Sequence, residues 1–429
     1  MSPASRSSFV LALVVGSVTA GCGAETSSAS KRAKTHLSVE IFSADIDAHG
    51  LFFHFPRQRF DGLAAELDSS PVDVLCLQGL HVAQDREELV SAVSKTFPYA
   101  VDLPTHDDTP VSDPTTQDGQ LPEMPTDPAC SSADDVSRLD ALLDCLGACS
   151  DKDGHLLSLP CAGGACGPEF QALTNPTDAR QRCRNCWFTG LYGDASISEI
   201  RQRCKTLPGN PLGYRGDHGS LLLSKLPLES PELVVLPSED VRRVALYARA
   251  QTPAGPVHVF CARLGITEIF DPYPGPYGSP QSGWQEEHDL QLEKLLASLE
   301  ARSGGDPAVL ALEAAASPVV ESGGTVVTVG LSQGTLARLT QELVRAVPAG
   351  FQPACTRCPG NPLTPNSAPL WTNHVYLSGL PASAAIGATR SYLGNVVKVD
   401  PTQVRSGQVA SDQVPITFEY GFRASLVLE

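Results

Sequence analysis

The sequence predicts an α/β protein, a two-sheet α/β sandwich interrupted by a disulfide-rich insertion, and three observations predict it. Apolar runs of strand and helix character alternate up to residue 103 and resume after residue 214, an α/β signature. Strands outnumber helices in the resumed part, which suggests two sheets. Between the two parts lie an acidic, Pro- and Thr-rich stretch at 104–129 and a cysteine-rich segment at 130–206.

The elements follow in order. The chain opens with Arg6, an apolar stretch over 9–18, and then Thr19, Ala20, Gly21 and Cys22. About ten apolar-leaning residues are too few to span a bilayer as a helix, so residues 1–22 read as a targeting segment. Small residues directly before a cysteine resemble a bacterial lipobox, which makes Cys22 the expected lipidation site. The alternative is an ordinary signal peptide that ends near a cysteine. No later apolar run reaches membrane-spanning length. Residues 23–36 read as a polar tether, so an exported protein of the bacterial cell envelope is expected, anchored to a membrane on its periplasmic or surface face.

A first strand is expected at 37–42 from its alternation, and a helix over 59–67, where Phe60, Leu63, Ala64 and Leu67 share a face. Residues 72–77 form a nearly continuous apolar strand, as when both faces of a sheet are covered. A helix over 85–95 and a short strand at 99–103 close the first part. Ser132, with Asp135 three residues on, caps a helix running to about residue 148. The insertion, 104–213 with its acidic lead-in, is expected to be stapled by cysteines without a full core of its own. The main domain, 37–103 and 214–429, resumes with strands at 219–224, 243–249 and 257–264. A helix over 286–299, a strand at 308–312, a helix over 333–346 capped by Ser332, and strands at 374–377, 416–420 and 423–428 complete it.

The chain has 13 cysteines. Cys76 and Cys261 lie inside apolar strand-like runs and read as small buried core residues. Apart from Cys22, the others are Cys130, Cys145, Cys149, Cys161, Cys166, Cys183, Cys186, Cys204, Cys355 and Cys358. An even set in an exported chain reads as disulfides of open connectivity. Cys183 with Cys186 and Cys355 with Cys358 also have the spacing of zinc knuckles, which is the alternative. The net charge of -17 argues against a nucleic-acid partner, because that affinity is mainly phosphate neutralisation. The densest basic stretch, Arg180, Arg182, Arg201, Arg203 and Lys205, is broken by cysteines.

Five phrases, in order, carry a resemblance. They are 73–78 (Asp-Val-Leu-Cys-Leu-Gln), 219–227 (Gly-Ser-Leu-Leu-Leu-Ser-Lys-Leu-Pro), 257–260 (Val-His-Val-Phe), 373–378 (Asn-His-Val-Tyr-Leu-Ser) and 411–415 (Ser-Asp-Gln-Val-Pro). Together they resemble the endonuclease/exonuclease/phosphatase superfamily, the DNase-I-like fold, over roughly 37–103 and 214–428. The resemblance implies a divalent cation, Mg²⁺ or Ca²⁺, a held water and a His base oriented by a carboxylate.

The positions that would carry this chemistry differ. The family's first Asn falls on Ser43, its metal-binding Glu on Gly79, and the His that meets the phosphate on Arg263. Its Gly-Asp-x-Asn falls on 312–315, leaving Glu313 as the one carboxylate. The base-orienting carboxylate falls on Asn373, and the base itself on Gln413, beside the matching Asp412. Glu313 and Asp412 are therefore the only metal-ligand candidates carried over, and Gln413 cannot accept a proton at neutral pH. The expected protein is a pseudoenzyme with a hydrolase-like scaffold, no cofactor, and a protein or glycan partner. The alternative is a metal-dependent phosphodiesterase or phosphatase, sphingomyelinase- or nucleotidase-like, with replacement residues.

Some residues keep two readings. Arg263 either binds a phosphate or carboxylate in an emptied cleft or pairs with Glu313 or Asp412. His374 is either a rescued base or, preferably, a packed, hydrogen-bonded histidine. Asp45, Asp47 and His49 are either substitute ligands or, preferably, a solvated turn. The aromatics of the Pro/Gly loop 271–280 with Trp284 either rim the cleft and meet a partner or carbohydrate, or are loop filler.

Overall fold

The structure, a computed structural model, describes residues 34–428 apart from 47–54, 106–125, 157–163, 174–180, 193–194, 209–211, 266–272, 274, 276–281, 323–324, 328–331, 353, 360, 362, 364–367, 392–395 and 401–411. The expected targeting segment with Cys22, most of the acidic stretch, and Asp47, His49 and Cys161 lie outside the described residues.

Alternating apolar residues build the first part. β1 (Thr35–Ile46) leads to α1 (Pro56–Leu67), β2 (Val74–Leu80), α2 (Ala83–Val93) and β3 (Tyr99–Val101). The insertion contributes α3 (Ala133–Gly147), α4 (Gly167–Leu173), α5 (Gln181–Gly190) and α6 (Ile197–Thr206). β4 (Leu221–Ser224), β5 (Leu228–Leu236), β6 (Arg243–Thr252) and β7 (Gly255–Arg263) precede the long α7 (Gly283–Ser303) and β8 (Ala308–Glu313). A small hairpin, β9 (Val320–Ser322) with β10 (Thr325–Val327), leads to α8 (Gln333–Glu342), β11 (Val344–Arg345), β12 (Asn373–Ser378) and β13 (Ala385–Ser391). β14 (Val396–Lys398) pairs with β15 (Gln413–Pro415), and β16 (Gly421–Leu428) closes the chain.

Two six-stranded sheets result, in the orders β13-β16-β1-β2-β4-β3 and β11-β12-β8-β7-β6-β5. Each is antiparallel except for one central parallel pair, β1 with β2 and β7 with β8. A parallel pair needs a crossover, and α1 and α7 supply them. Residues of period two divide between the layers. On β2, Val74 and Cys76 join the core between the sheets, while Leu75 and Leu77 pack with Leu63, Leu67, Leu89 and Val93 of α1 and α2. On the other sheet, Val259 and Val309 face inward, while Phe260 and Leu310 meet Leu292, Leu295, Leu299 and Leu339 of α7 and α8. The molecule is therefore layered helix, sheet, sheet, helix. Coverage of both faces is why 72–77 reads as an uninterrupted apolar run.

Five expectations need correction. Cys76 and Cys261 are fully buried, as expected, but they form a disulfide that joins the two sheets across a sequence separation of 185. Nothing local in either strand signals a partner that lies in the other sheet. The insertion has a core of its own, in which Leu139, Leu142, Leu143 and Leu146 pack with Trp187, Ile200 and the bonded cysteines. The helix expected to reach residue 346 stops at Glu342, because Val344 and Arg345 pair with β12. Ser332 precedes that helix in a left-handed conformation without a side-chain cap, whereas Ser132 accepts from Asp135 N at 3.0 Å as expected. Residues 416–420 do not extend β15 but form an irregular segment leading into β16.

The cysteines pair as Cys130–Cys183, Cys145–Cys166, Cys186–Cys204 and Cys355–Cys358. Cys149 is also disulfide-bonded. Both CxxC pairs are thus engaged in sulfur–sulfur bonds rather than zinc ligation.

Candidate functional site

Both central strand pairs run parallel, and the contact of Arg263 at the end of β7 with Asp45 near the end of β1 places the C-terminal ends of all four strands at one end of the sandwich. Arg263 ends β7, Glu313 ends β8 and Asn373 begins β12, and the three share one rung of the second sheet. Opposite them β1 bulges. Ser43 pairs with Gln78 and Ile46 with Leu80, so one extra residue is absorbed between. Asp45 takes a positive φ of 42° there, which an Asp tolerates and most residues do not. Bulges of this kind re-aim a side chain.

Two buried arginines hold this end in place. From α1, fully buried Arg59 donates to the carbonyls of Ala44, Asp45 (2.9 Å) and Ile416 (3.0 Å). From α2, equally buried Arg86 donates to the carbonyls of Leu80 (2.9 Å) and His218 (2.6 Å). The loop ends of β1 and β2 are therefore fixed by groups that cannot leave without stranding buried backbone carbonyls.

Arg263 stands at the centre. Its Nη1 donates to Asp45 Oδ1 at 2.6 Å, and its Nε lies 3.1 Å from Glu313 Oε1. Each carboxylate keeps one oxygen without a protein partner, Asp45 Oδ2 and Glu313 Oε2. A third carboxylate, Glu419, is buried beside them and paired with Arg357, whose Nη2 lies 2.6 Å from Oε1. Glu419 also accepts from Thr372 Oγ1, and Asn373 donates to Tyr420 O at 2.9 Å.

Three carboxyls thus face two guanidinium groups, and the proton follows the charge. Burial raises the Asp45 carboxyl, but the Arg263 guanidinium outweighs it and holds Asp45 below the usual carboxylate range. Burial, opposed by Arg263 and reinforced by Glu419, pushes Glu313 up to about 8. Burial works against the Arg263 charge, yet Asp45 and Glu313 more than restore it. At neutral pH Asp45 stays ionised beside Arg263, and Glu313 keeps its proton.

Gly79 explains why no glutamate can stand there. Its φ is 79°, and a Cβ would lie 2.4 Å from both the backbone N and Oδ1 of Asp45. The bulged backbone at Asp45 fills the space that a side chain at 79 would need. Next to it, His81 is stacked on Tyr214 with ring centroids 4.1 Å apart. A line of rings continues through Tyr192, 5.5 Å from Tyr214, to Phe188, 5.6 Å from Tyr192. Asn185 of α5 also donates to Glu239 O at 3.1 Å. The insertion therefore packs against the site end.

The sequence-derived residues fall as follows. Ser43, Gly79, Arg263, Glu313 and Asn373 gather at this end and are all buried. Asp412 and Gln413 are exposed on the β14–β15 pair, where Asp412 O accepts from Val399 N at 2.8 Å. Of the two metal candidates, Glu313 is inside the cluster, and the second acidic member of the second-sheet side is Glu419 rather than Asp412. Asp45 is not a solvated turn, because the bulge turns it inward. His374 is the packed histidine preferred from sequence, its Nε2 2.9 Å from Ala316 O and its pKa lowered by burial to about 3. Tyr273 and Trp284 stack edge to face, and Tyr273 donates to buried Glu287 at 2.8 Å, so these aromatics face inward.

Reading the sequence missed Arg59, Arg357 and Glu419. Arg59 carried a signal, since it shares the i, i+4 face of Leu63 on a helix that otherwise buries apolar residues.

Solved structures similar to this chain in fold include an endonuclease/exonuclease/phosphatase, a sphingomyelinase C and a beta toxin. One, from Beutenbergia cavernae, is 12% identical with a TM-score of 0.43, over 92% of this chain and 72% of that one. Sphingomyelinase C from Streptomyces griseocarneus is 14% identical with a TM-score of 0.48, over 91% of this chain and 99% of that one. Beta toxin from Staphylococcus aureus, in a structure with bound magnesium ions, is 10% identical with a TM-score of 0.47, over 91% and 99%. No protein-family model and no curated protein matches the chain.

The divalent cation that the resemblance implies does not fit these residues. Hard cations take six or more oxygen ligands. Here a guanidinium already bridges two of the three carboxyls, and a second guanidinium holds the third. Among the described residues, no group of three or more His, Cys, Asp or Glu side chains could hold a metal ion.

Two predictions follow from this geometry. Gly79→Ala combines a left-handed backbone with a collision at Asp45, so denaturant unfolding should show a loss of at least about 1–3 kcal/mol. A variant as stable as the wild type contradicts the bulge described. The second concerns pH. Burial lowers His81 well below its usual value, His218 and His374 to about 3 and His288 to about 4. Below about pH 6.5 the unfolded chain takes up these protons and the fold does not, so stability is lost on acidification. Glu313 and Glu287 are raised and act oppositely, losing stability as pH rises from about 4.5. With five lowered histidines, His258 included, against three raised carboxyls, Asp85 included, the thermal midpoint should fall from pH 6.5 to 4.5; a midpoint that rises over this window contradicts the assignment.

Proposed function

We propose that this protein is an exported pseudoenzyme, lipid-anchored through Cys22, that uses a hydrolase-like scaffold for binding. The observation that carries the reading is Arg263, a fixed cation held by Asp45 and Glu313 where the resemblance calls for a histidine and a metal. A protonated Glu313 and an ion-paired Asp45 offer neither a free ligand set nor a base to activate water. The base position, Gln413, has no titratable group, and buried His374 and His81 are held neutral and packed rather than facing a cleft.

Recognition is assigned to the insertion. Its helices are clipped by Cys130–Cys183, Cys145–Cys166 and Cys186–Cys204 around a core of their own. A surface ordered in advance costs little to immobilise on binding, which suits a protein or glycan partner. Among the described residues no helix is long and apolar enough to cross a membrane, and attachment by lipid requires none.

Calorimetric titration of Mg²⁺, Mn²⁺ and Ca²⁺ into the protein, with a phosphodiester panel run alongside, tests the reading. The expected result is no binding heat at millimolar ion and no turnover. Stoichiometric binding accompanied by ion-dependent hydrolysis would return the protein to the metal-dependent phosphodiesterases.

A further inference from the structure

We propose that Cys355 and Cys358 form a thiol–disulfide exchange site, reducible in the folded protein by an external dithiol, with Arg390 stabilising the thiolate that leaves. Sequence separation sets this bond apart. It spans 3 residues, against 185 for Cys76–Cys261, 53 for Cys130–Cys183, 21 for Cys145–Cys166 and 18 for Cys186–Cys204. A bond closing so short a loop restricts the unfolded chain least, so stabilising the fold is a weak reason for it.

Its surroundings suit exchange. Arg390 of β13 places Nη1 3.5 Å from Cys358 Sγ and 3.9 Å from Cys355 Sγ, and donates to Cys355 O at 3.2 Å. The guanidinium is itself held over the Tyr420 ring, 4.3 Å from its centroid. A neighbouring arginine lowers a thiol's pKa, and a better-stabilised thiolate leaves faster. Cys355 and Cys358 are 6% and 8% exposed, whereas Cys76 and Cys261 are sealed at 0%. Cys145 also reaches the surface, but its partner Cys166 is fully buried in the insertion core.

The chemistry balances. A thiolate of the external dithiol attacks Cys355 Sγ, the Cys355–Cys358 bond breaks, and Cys358 leaves as a thiolate beside Arg390. The second thiol of the reagent, once deprotonated, attacks its own sulfur in the mixed disulfide and frees Cys355, which takes up a proton. The dithiol ends as a disulfide, two electrons having passed to the cysteine pair. The bond also ties the turn that carries Arg357, the cation paired with Glu419. Thr356 O accepts from Tyr420 N at 2.8 Å, which stitches the same turn to the segment holding Glu419. Reduction therefore loosens one of the two cations that close the site end.

The test exposes folded full-length protein to dithiothreitol for graded times, traps thiols by alkylation, and locates them by peptide mass spectrometry. Cys355 and Cys358 are expected to label at least about tenfold faster than Cys76 and Cys261 while the near-ultraviolet spectrum stays native. Labelling no faster than the sealed pair, or only as the protein unfolds, overturns the proposal. Arg390→Gln should slow reduction at least about threefold and Arg390→Lys should preserve most of the rate. Equal rates in wild type and Arg390→Gln, or equal slowing in both variants, removes the assigned role of the arginine charge.

Discussion

The ion pair between Arg263 and Asp45, with Glu313 on its other side, is the constraint to which the rest of this end of the molecule conforms. A carboxylate buried in a sandwich core is costly unless a cation meets it, and removing one partner from such a pair leaves the other charge stranded. Asp45 reaches Arg263 only because β1 bulges, the bulge persists because Arg59 satisfies its carbonyls, and position 79 must lack a side chain because the bulge occupies that space. Asp45, Arg263 and Gly79 are therefore parts of one structural solution, and a side chain added at 79 alone collides with Asp45.

The same end shows how the scaffold was closed. Glu419 and Arg357 form a second pair behind the first, and Asn373 joins them through Tyr420 O. From the other side the aromatic line from His81 to Phe188 ties the insertion to the strand ends. Below, Cys76–Cys261 fastens the two sheets to each other, with Gln78 Nε2 3.2 Å from each sulfur and Ser220 Oγ donating to Gln78 Oε1 at 2.6 Å. These contacts fill the strand ends with buried, mutually paired groups.

The sandwich was legible because its strands are short, apolar and bounded by turns. Residues 72–77 read as covered on both faces, 308–312 read as a strand, and both lie at the centre of a sheet. The capped helix at 133–147 was legible from Ser132 and Asp135 alone. Isolated charged residues were harder. Asp45 looked like a turn because a bulge has no periodic signature, and Glu419 lay in an alternating run that resembled a strand. The pairing of Cys76 with Cys261 was invisible for a different reason, since only tertiary structure brings two sheets together. The residues at 79, 263 and 413 differ from those the resemblance implies, but nothing in the sequence signalled that Arg263 would lie between Asp45 and Glu313.

The most direct measurement is the stability of Arg263→Met, by chemical denaturation at pH 5 and at pH 8. If Arg263 is the charge that permits Asp45 and Glu313 to be buried, the variant should lose about 3–5 kcal/mol at pH 8. The loss should be distinctly smaller at pH 5, where the stranded carboxyls can be neutralised by protons. A small loss that is the same at both pH values would mean that the guanidinium is merely packed there, and would contradict the account.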